Sequence, residues 1–322
     1  MRLPEAGLDR RTTRYPSMVH SVPVLNWLVR YAPVAADVEI ATSSVLDVGS
    51  GSVGLSCVFP QAKFAGQDVA FSEPVPSQMF AVRTDPGRFP WVDSAFDTVV
   101  CLDVLEHVPG AERSRFVQEC ARVAARRILL SCPTDTGVDA DDFLLQMYLS
   151  SGEEPPSWLD EHVEFGLPTI AELEAACEVP GFHHNRWPQV NGLLAGLIVV
   201  GDFHPFYRAD AATEYRSRQV DWIAALQACR FGDGIRQGIE MERIDAAEPT
   251  VDPLRFDQTI AAALECAVCR GRLGLVESTT LSCSSCGRTA TLDQAGAYDL
   301  RADGLTSPRK RWRIGKRFRR RA

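Results

Sequence analysis

The chain has 322 residues, of which 45% are hydrophobic and 24% charged. That composition is ordinary for a soluble globular protein and excludes a disordered or collagen-like chain. At about 150 residues per domain, it suggests two domains, or one large domain with a small module. The net charge of −8 is unevenly spread. Residues 309–321 hold nine Lys or Arg and no acid, which leaves 25 basic against 42 acidic residues, or −17, elsewhere. The longest apolar stretch, near Leu193–Val200, is far shorter than the about 20 residues of a membrane span. The N-terminal residues, MRLPEAGLDRRTTRYPS, lack the apolar core of a secretory signal. A cytoplasmic location is therefore expected.

In chain order, Val22–Tyr31 has spacing suited to a short helix. From Ser44 short apolar runs alternate with helical stretches, which predicts βαβ units and a parallel sheet. The predicted strands are Val45–Val48, Lys63–Gly66, Thr98–Leu102 and Arg127–Ser131, with a helix over about Ala111–Ala125. Pro133–Glu164 reads as a long connection containing Trp158, Glu161 and His162. A helix at Ile170–Cys177, a strand near His184–Pro188, a helix at Asp221–Cys229 and a closing strand at Gly238–Ile244 follow. Ala246–Pro253 breaks the pattern before a cysteine-rich module. The predicted division is 1–250, 251–304 and a basic tail, 305–322.

Val45–Gly54 reads VLDVGSGSVG: a strand ending in Asp47, then Gly49, Gly51 and Gly54. Glycines at a strand-to-helix turn let the backbone approach a ligand closely. The spacing is also that of dinucleotide-binding loops, and a tight turn with no ligand is the alternative. Asp68, 19 residues after Gly49, suits a ribose-binding carboxylate.

VLDVGSGSVG, with TDPGRFPWVDSAFDTVV (Thr84–Val100), CLDVLEHV (Cys101–Val108) and RVAARRILLSCP (Arg122–Pro133), resembles the class I S-adenosylmethionine (SAM)-dependent methyltransferases of the methyltransferase-11-like group. The resemblance is good over about residues 20–135 and thins out to about 245. It implies an α/β, Rossmann-like, mostly parallel seven-stranded sheet with helices on both faces. It further implies that Asp47 lies near the methionine ammonium and that Gly49, Ser50 and Gly51 pack under the cofactor. Asp68 would bind the ribose, Asp85 the adenine amine, with Arg88 or Phe89 beside the ring, and Asp103 would line the pocket. The family's third glycine falls at Val53 here, and Gly54 follows one step later.

Methyl transfer to a hydroxyl benefits from a base, and the candidates are His107 and the Glu161–His162 pair. The bland alternatives are a structural hydrogen bond for His107 and a surface position for His162. His183 and His184 read as strand-edge residues, and Cys132 as core. No Asn-Pro-Pro-Tyr-like motif follows the fourth strand, which argues against amide or exocyclic-amine methylation. The expected acceptor is an oxygen of a small molecule, a glycan or a lipid-linked compound. An RNA or protein methyltransferase is the alternative, and a non-catalytic SAM-binding or partner-binding protein a third.

Cys266-x2-Cys269 and Cys283-x2-Cys286 are separated by thirteen residues. Each pair can present two thiolates, and four satisfy a closed, structural tetrahedral zinc. The segment LECAVCRGRLGLVESTTLSCSSCGRTATLDQAGAYDL, Leu264–Leu300, resembles the Trm112-like zinc ribbons, with Ala267 where that family has proline. This resemblance implies a role in stabilising the methyltransferase in cis. The tail mixes nine basic residues with Trp312, Ile314 and Phe318. On an anionic membrane each basic residue contributes roughly 1 kcal/mol, so residues 309–321 are expected to hold the protein at the inner membrane surface. RNA binding and a solvated tail are the competing readings.

Overall fold

Short runs of Val, Leu, Ile and Phe become strands in this computed structural model, which describes residues 30–31, 34–35, 37, 39–190, 202–203, 234–277 and 279–301. The strands are β1 (Val45–Val48), β2 (Phe64–Asp68), β3 (Met79–Arg83), β4 (Phe96–Leu102), β5 (Ala124–Pro133), β6 (Phe182–Val190) and β7 (Arg236–Arg243). The cysteine module adds β8 (Leu273–Glu277), β9 (Thr280–Cys283), β10 (Thr289–Thr291) and β11 (Ala297–Asp299). The α-helices are α1 (Arg113–Val123), α2 (Val138–Ser151), α3 (Ser157–Phe165), α4 (Ile170–Cys177) and the short α5 (Phe256–Thr259).

The main sheet has eight strands in the order β11-β3-β2-β1-β4-β5-β7-β6. β7 runs antiparallel to both β5 and β6, and the remaining pairs are parallel. Strands buried on both faces read as continuous apolar runs, and β4, FDTVVCL, is buried along its whole length. Its side chains alternate between layers. Val99 and Cys101 join α1 and α4 on one face, while Val100 and Leu102 join Tyr31, Val34 and Ile40 on the other. Strand order reverses on either side of β1, and open α/β sheets bind ligands at the carboxyl ends of strands at such a switch point.

Seven strands are expected from the sequence, and the structure has eight in this sheet. The extra one comes from the cysteine module, which completes the main sheet through β11 as well as building its own β10-β9-β8 sheet. β11 pairs in parallel with β3, and Tyr298 stacks on Phe80 with ring centroids 5.3 Å apart. β3 would otherwise be an open sheet edge, which proteins avoid leaving long and apolar. A second seam joins residues 90–92 to 263–265. Val92 N–H donates to Ala263 O (2.9 Å), Glu265 N–H donates to Pro90 O (2.8 Å), and Trp91 bridges Leu264. Trp91 is fully buried and its indole N–H donates to Gln67 Oε1 of β2 at 2.7 Å.

The stretch read as a long connection, Pro133–Glu164, contains α2 and α3. Only Leu144 and Tyr148 of α2 are buried, too thin a stripe to give a strong helical period. Its boundaries are locally encoded: Asp139 and Asp141 lie in the first turn, and Gly152 takes φ +76° just past its end. α4 starts with a reciprocal Thr169–Glu172 capping box. Most of the helix expected at Val22–Tyr31, the helix expected at Asp221–Cys229 and the basic tail lie outside the described residues. Among the described residues, no helix is long and apolar enough to cross a membrane.

Leu264 is fully buried in the core shared by sheet and cysteine module. Leu264→Ala is expected to cost about 2–5 kcal/mol, read by urea unfolding as one shifted transition of the whole chain. Two separate transitions would show that the module folds on its own.

Candidate active site

β1 delivers Asp47 to the switch point, and the glycine loop turns over it. Asp47 is fully buried. Its Oδ2 accepts from Leu55 N–H (2.9 Å) and Tyr31 O–H (3.0 Å), while Oδ1 has no hydrogen-bond partner. Burial pushes this carboxyl up to about 7, against the opposing pull of the Arg30 cation. Arg30 also donates to Gly49 O at 2.7 Å.

The three glycines have different tasks. Gly49 (φ +72°) lies where a Cβ would come 2.2 Å from Val104 Cγ2, so it seats the loop against the segment after β4. Gly54 (φ +51°) leaves no room for a Cβ, which would stand 2.7 Å from Asp47 Oδ2. The glycine displaced from the family's usual position is thus accounted for by packing on Asp47, and its N–H closes the turn on Ser50 O at 2.9 Å. Gly51 (φ +55°) has open space where its Cβ would be. That opening is a cradle a ligand can enter and a side chain would fill. Ser50 is buried and donates to Gly51 O. Asp68 ends β2, and its carboxylate accepts from Gly51 N–H (2.8 Å) and Ala70 N–H (3.0 Å), which sets the width of the cradle.

The remaining expected cofactor residues divide. Asp85 is exposed on the loop after β3. Arg88 is also exposed, and its guanidinium lies 3.8 Å from Glu265 of the cysteine module. Phe89, expected beside the adenine ring, is instead buried in the core, edge-on to Phe116 at 5.5 Å. Two residues of α1 are the cause: Glu119 accepts the Phe89 N–H and Arg122 binds the Phe89 and Trp91 carbonyls, turning the ring inward. Asp103 takes φ +54°, a sparsely populated region for a non-glycine residue. Its carboxylate is paired with buried Arg236 of β7 rather than left open to the pocket.

His107 and His162, 55 positions apart, meet in space with ring centroids 4.9 Å apart. His107 ends the 3-10 turn Leu105–His107 directly after β4, and His162 lies on α3. Arg113 ties the two elements together by donating to the carbonyls of Leu105, Val108, Phe165 and Gly166. Nδ1 of His107 stands 2.9 Å from Glu161, and Nδ1 of His162 2.8 Å from Asp141. His162 is buried, not on the surface. Burial lowers the His107 imidazole, opposed by Glu161. Beside them Glu106 is fully buried, and burial pushes its carboxyl up to about 8. Arg30 acts electrostatically on Asp47, Glu106 and His107, so one cation reaches both the loop and the histidine pair. Sequence reasoning passed over Glu106 and Asp141. Glu106 stands in the LEHV segment already singled out, whereas Asp141 is one of several acids on α2 and has no distinguishing local signal.

The cysteine quartet forms a second centre. Sγ of Cys266 is 3.8 Å from Sγ of Cys286, and Sγ of Cys269 is 3.4 Å from Sγ of Cys283. All four sulfurs lie within 4.8 Å of one another. Four thiolates at about 2.3 Å from one zinc sit roughly 3.8 Å apart, so the set fits the metal. Each pair is a tight knuckle. Arg270 N–H donates to Cys266 O and Gly287 N–H to Cys283 O, with Arg270 (φ +62°) and Gly287 (φ +71°) in left-handed conformation. Backbone N–H groups of Ser285 and Cys286 pull the Cys283 thiol down.

Residues 46–128 match the family described as "Methyltransferase domain". The match spans β1 to β5 and supports SAM-dependent methyl transfer as the class of chemistry. Among solved structures, the plantazolicin methyltransferase BpumL in complex with SAH is 12% identical over 69% of this chain and 85% of its own, with a TM-score of 0.42. Magnesium protoporphyrin IX methyltransferase (ChlM) from Synechocystis PCC 6803 with bound SAH is 18% identical over 68% and 81%, with a TM-score of 0.37. A SAM-dependent methyltransferase from Archaeoglobus fulgidus is 17% identical over 68% and 93%, with a TM-score of 0.38. Likenesses this distant decide no residue's role.

Asp47 makes a pH-dependent prediction. The folded chain keeps a proton there up to about pH 7, whereas the unfolded chain gives it up near pH 4. Ligand-free stability should therefore fall as pH rises between those values and level off above. A ligand ammonium favours the ionised form, so SAM should bind more tightly over the same interval. Asp47→Asn should remove this carboxylate's share of both slopes, as read by thermal melts and calorimetry across that range.

Proposed function

We propose that this protein transfers a methyl group from SAM to an oxygen of a small-molecule, glycan or lipid-linked acceptor. The observation that carries the reading is one juxtaposition at the β1/β4 switch point. The open cradle at Gly51 is held by the Asp68 carboxylate, belongs to the loop that packs on Asp47 through Gly54, and meets through Gly49 the Val104 that leads into the His107 turn. SAM brings a cationic sulfonium whose methyl group is already activated. The residues present fit it: Asp47 has a buried carboxylate oxygen lacking a partner, and Gly51 has open space. Asp47 would face the ammonium through the loop, Gly49, Ser50 and Gly51 would lie under the cofactor, and Asp68 would take the ribose. Asp85 stays the candidate for the adenine amine on its exposed loop.

This chain's own task is then positioning and exclusion of water, since in-line displacement depends mainly on alignment. His107 and His162 would handle the acceptor hydroxyl. Asp141 would hold the His162 ring through its Nδ1, and Glu161 stands 2.9 Å from Nδ1 of His107.

The cysteine quartet would hold a structural zinc in a ribbon of the Trm112-like kind. Four thiolates leave no open position for substrate. Purified protein is expected to carry one equivalent of zinc on these cysteines. Cys283→Ser should lose it and melt earlier, as read by metal analysis and thermal denaturation. Loss of zinc with an unchanged midpoint would remove the structural role.

Residues 309–321 would hold the protein at the inner face of an anionic membrane in the cytoplasm. Their charge and aromatic content also suit RNA, and that keeps an RNA or protein acceptor as the second reading. The deciding experiment incubates the enzyme and methyl-labelled SAM with lysate from a host lacking the gene, then counts lipid, glycan, small-molecule, RNA and protein fractions. Label in the first three is expected. Label confined to RNA or protein would overturn the acceptor class. SAM binding with no label in any fraction would favour a non-catalytic SAM-binding protein.

A further inference from the structure

Beside the glycine loop, a carboxyl and two imidazoles converge, with polar atoms among them buried without a hydrogen-bond partner. Nδ1 of His162 lies 2.8 Å from Asp141 and Nδ1 of His107 2.9 Å from Glu161; with a proton on each Nδ1, the neutral rings offer the Nε2 lone pairs as ligands. The carboxyl is Glu106, which is 1% exposed. Its Oε2 and the His162 Nε2 are both buried without a hydrogen-bond partner. Nε2 of His107 lies 3.9 Å from Glu106 Oε1, too long for a shared proton. One candidate ligand atom from each of Glu106, His107 and His162 falls within 4.8 Å of the others. Buried polar atoms left without partners are costly, and a cation bound among them would remove that cost.

We propose that Glu106, His107 and His162 bind a divalent transition-metal ion, with Asp141 and Glu161 as the outer carboxylates that fix the two imidazoles. A metal-bound histidine commonly donates its other ring N–H to a carboxylate; here His162 has Asp141 at hydrogen-bond distance and His107 has Glu161 2.9 Å away. Two imidazoles and one carboxylate form a nitrogen and oxygen set with coordination positions left open. It is chemically unlike the four thiolates of Cys266, Cys269, Cys283 and Cys286, so the chain has two centres of different preference. The histidines and Glu106 come from two elements clamped by Arg113, which gives the site a rigid frame.

The open positions would take an oxygen of the methyl acceptor. This role rests on the methyltransferase reading, whereas metal binding itself does not. In that role the ion favours the deprotonated hydroxyl by charge, and the acceptor would be one offering a hydroxyl or carboxylate oxygen.

The test uses the full-length protein carrying one zinc per chain, on the cysteines, titrated with Mn2+ and followed by the loss of the free-ion signal in electron paramagnetic resonance. Mn2+ favours oxygen and nitrogen over thiolate, so it reports this site. Co2+ is the second probe, read by ligand-field bands free of thiolate charge transfer. One ion per chain is expected. His162→Ala and Glu106→Gln should each weaken binding at least tenfold, and Asp141→Asn by about 10–100-fold. SAM binding on the same samples shows that each variant is folded. If neither Mn2+ nor Co2+ binds outside the cysteines, or the two ligand variants bind as the parent does, the proposal is overturned. Metal binding without SAM binding would overturn the methyltransferase reading and leave the metal site standing.

Discussion

A carboxylate sealed at the end of β1 organises the ligand side of this molecule. Asp47 holds the Leu55 amide and the Tyr31 hydroxyl with one oxygen and keeps the other without a partner. A buried acid of this kind is expensive, and burial accordingly shifts it toward its protonated form. The glycine at 54 follows from it, because any side chain there would meet the carboxylate. So does the course of the loop that leaves Gly51 facing open space. Arg30 holds the loop from the other side through the Gly49 carbonyl.

The histidine pair depends on a different device. Neither imidazole is placed by its own element alone. Arg113 gathers carbonyls from the turn after β4 and from the end of α3, and so brings His107 and His162 to one locus. Asp141 of α2 then holds the His162 ring, and Glu161 of α3 lies 2.9 Å from the His107 ring. Cradle and pair are neighbours because Gly49 packs on Val104, three residues before His107.

The cysteine module is joined to the same sheet. Its knuckles hold β8 and β9 in register, and beyond them the chain returns as β11 to cover the β3 edge. The quartet is therefore coupled to the β3 edge of the sheet, with β2 between β3 and the glycine loop. The tie runs through Trp91, which touches Gln67 of β2 and bridges Leu264.

Local chemistry made several features legible in the sequence. The runs Val45–Val48 and Thr98–Leu102 read as buried strands, the glycines after Asp47 permit the positive φ they adopt, and the paired cysteines share a spacing suited to thiolate ligation. Features without a local period were not legible. β3 is five residues long and recognisable only by its partners, and α2 buries just Leu144 and Tyr148. The inward turn of Phe89 depends on Glu119 and Arg122, about thirty positions away. The meeting of Glu106, His107, His162, Asp141 and Glu161 was likewise settled by tertiary packing. Sequence spacing determines which groups share an element, but only the packing of α2 and α3 over the end of β4 decides which groups face one another.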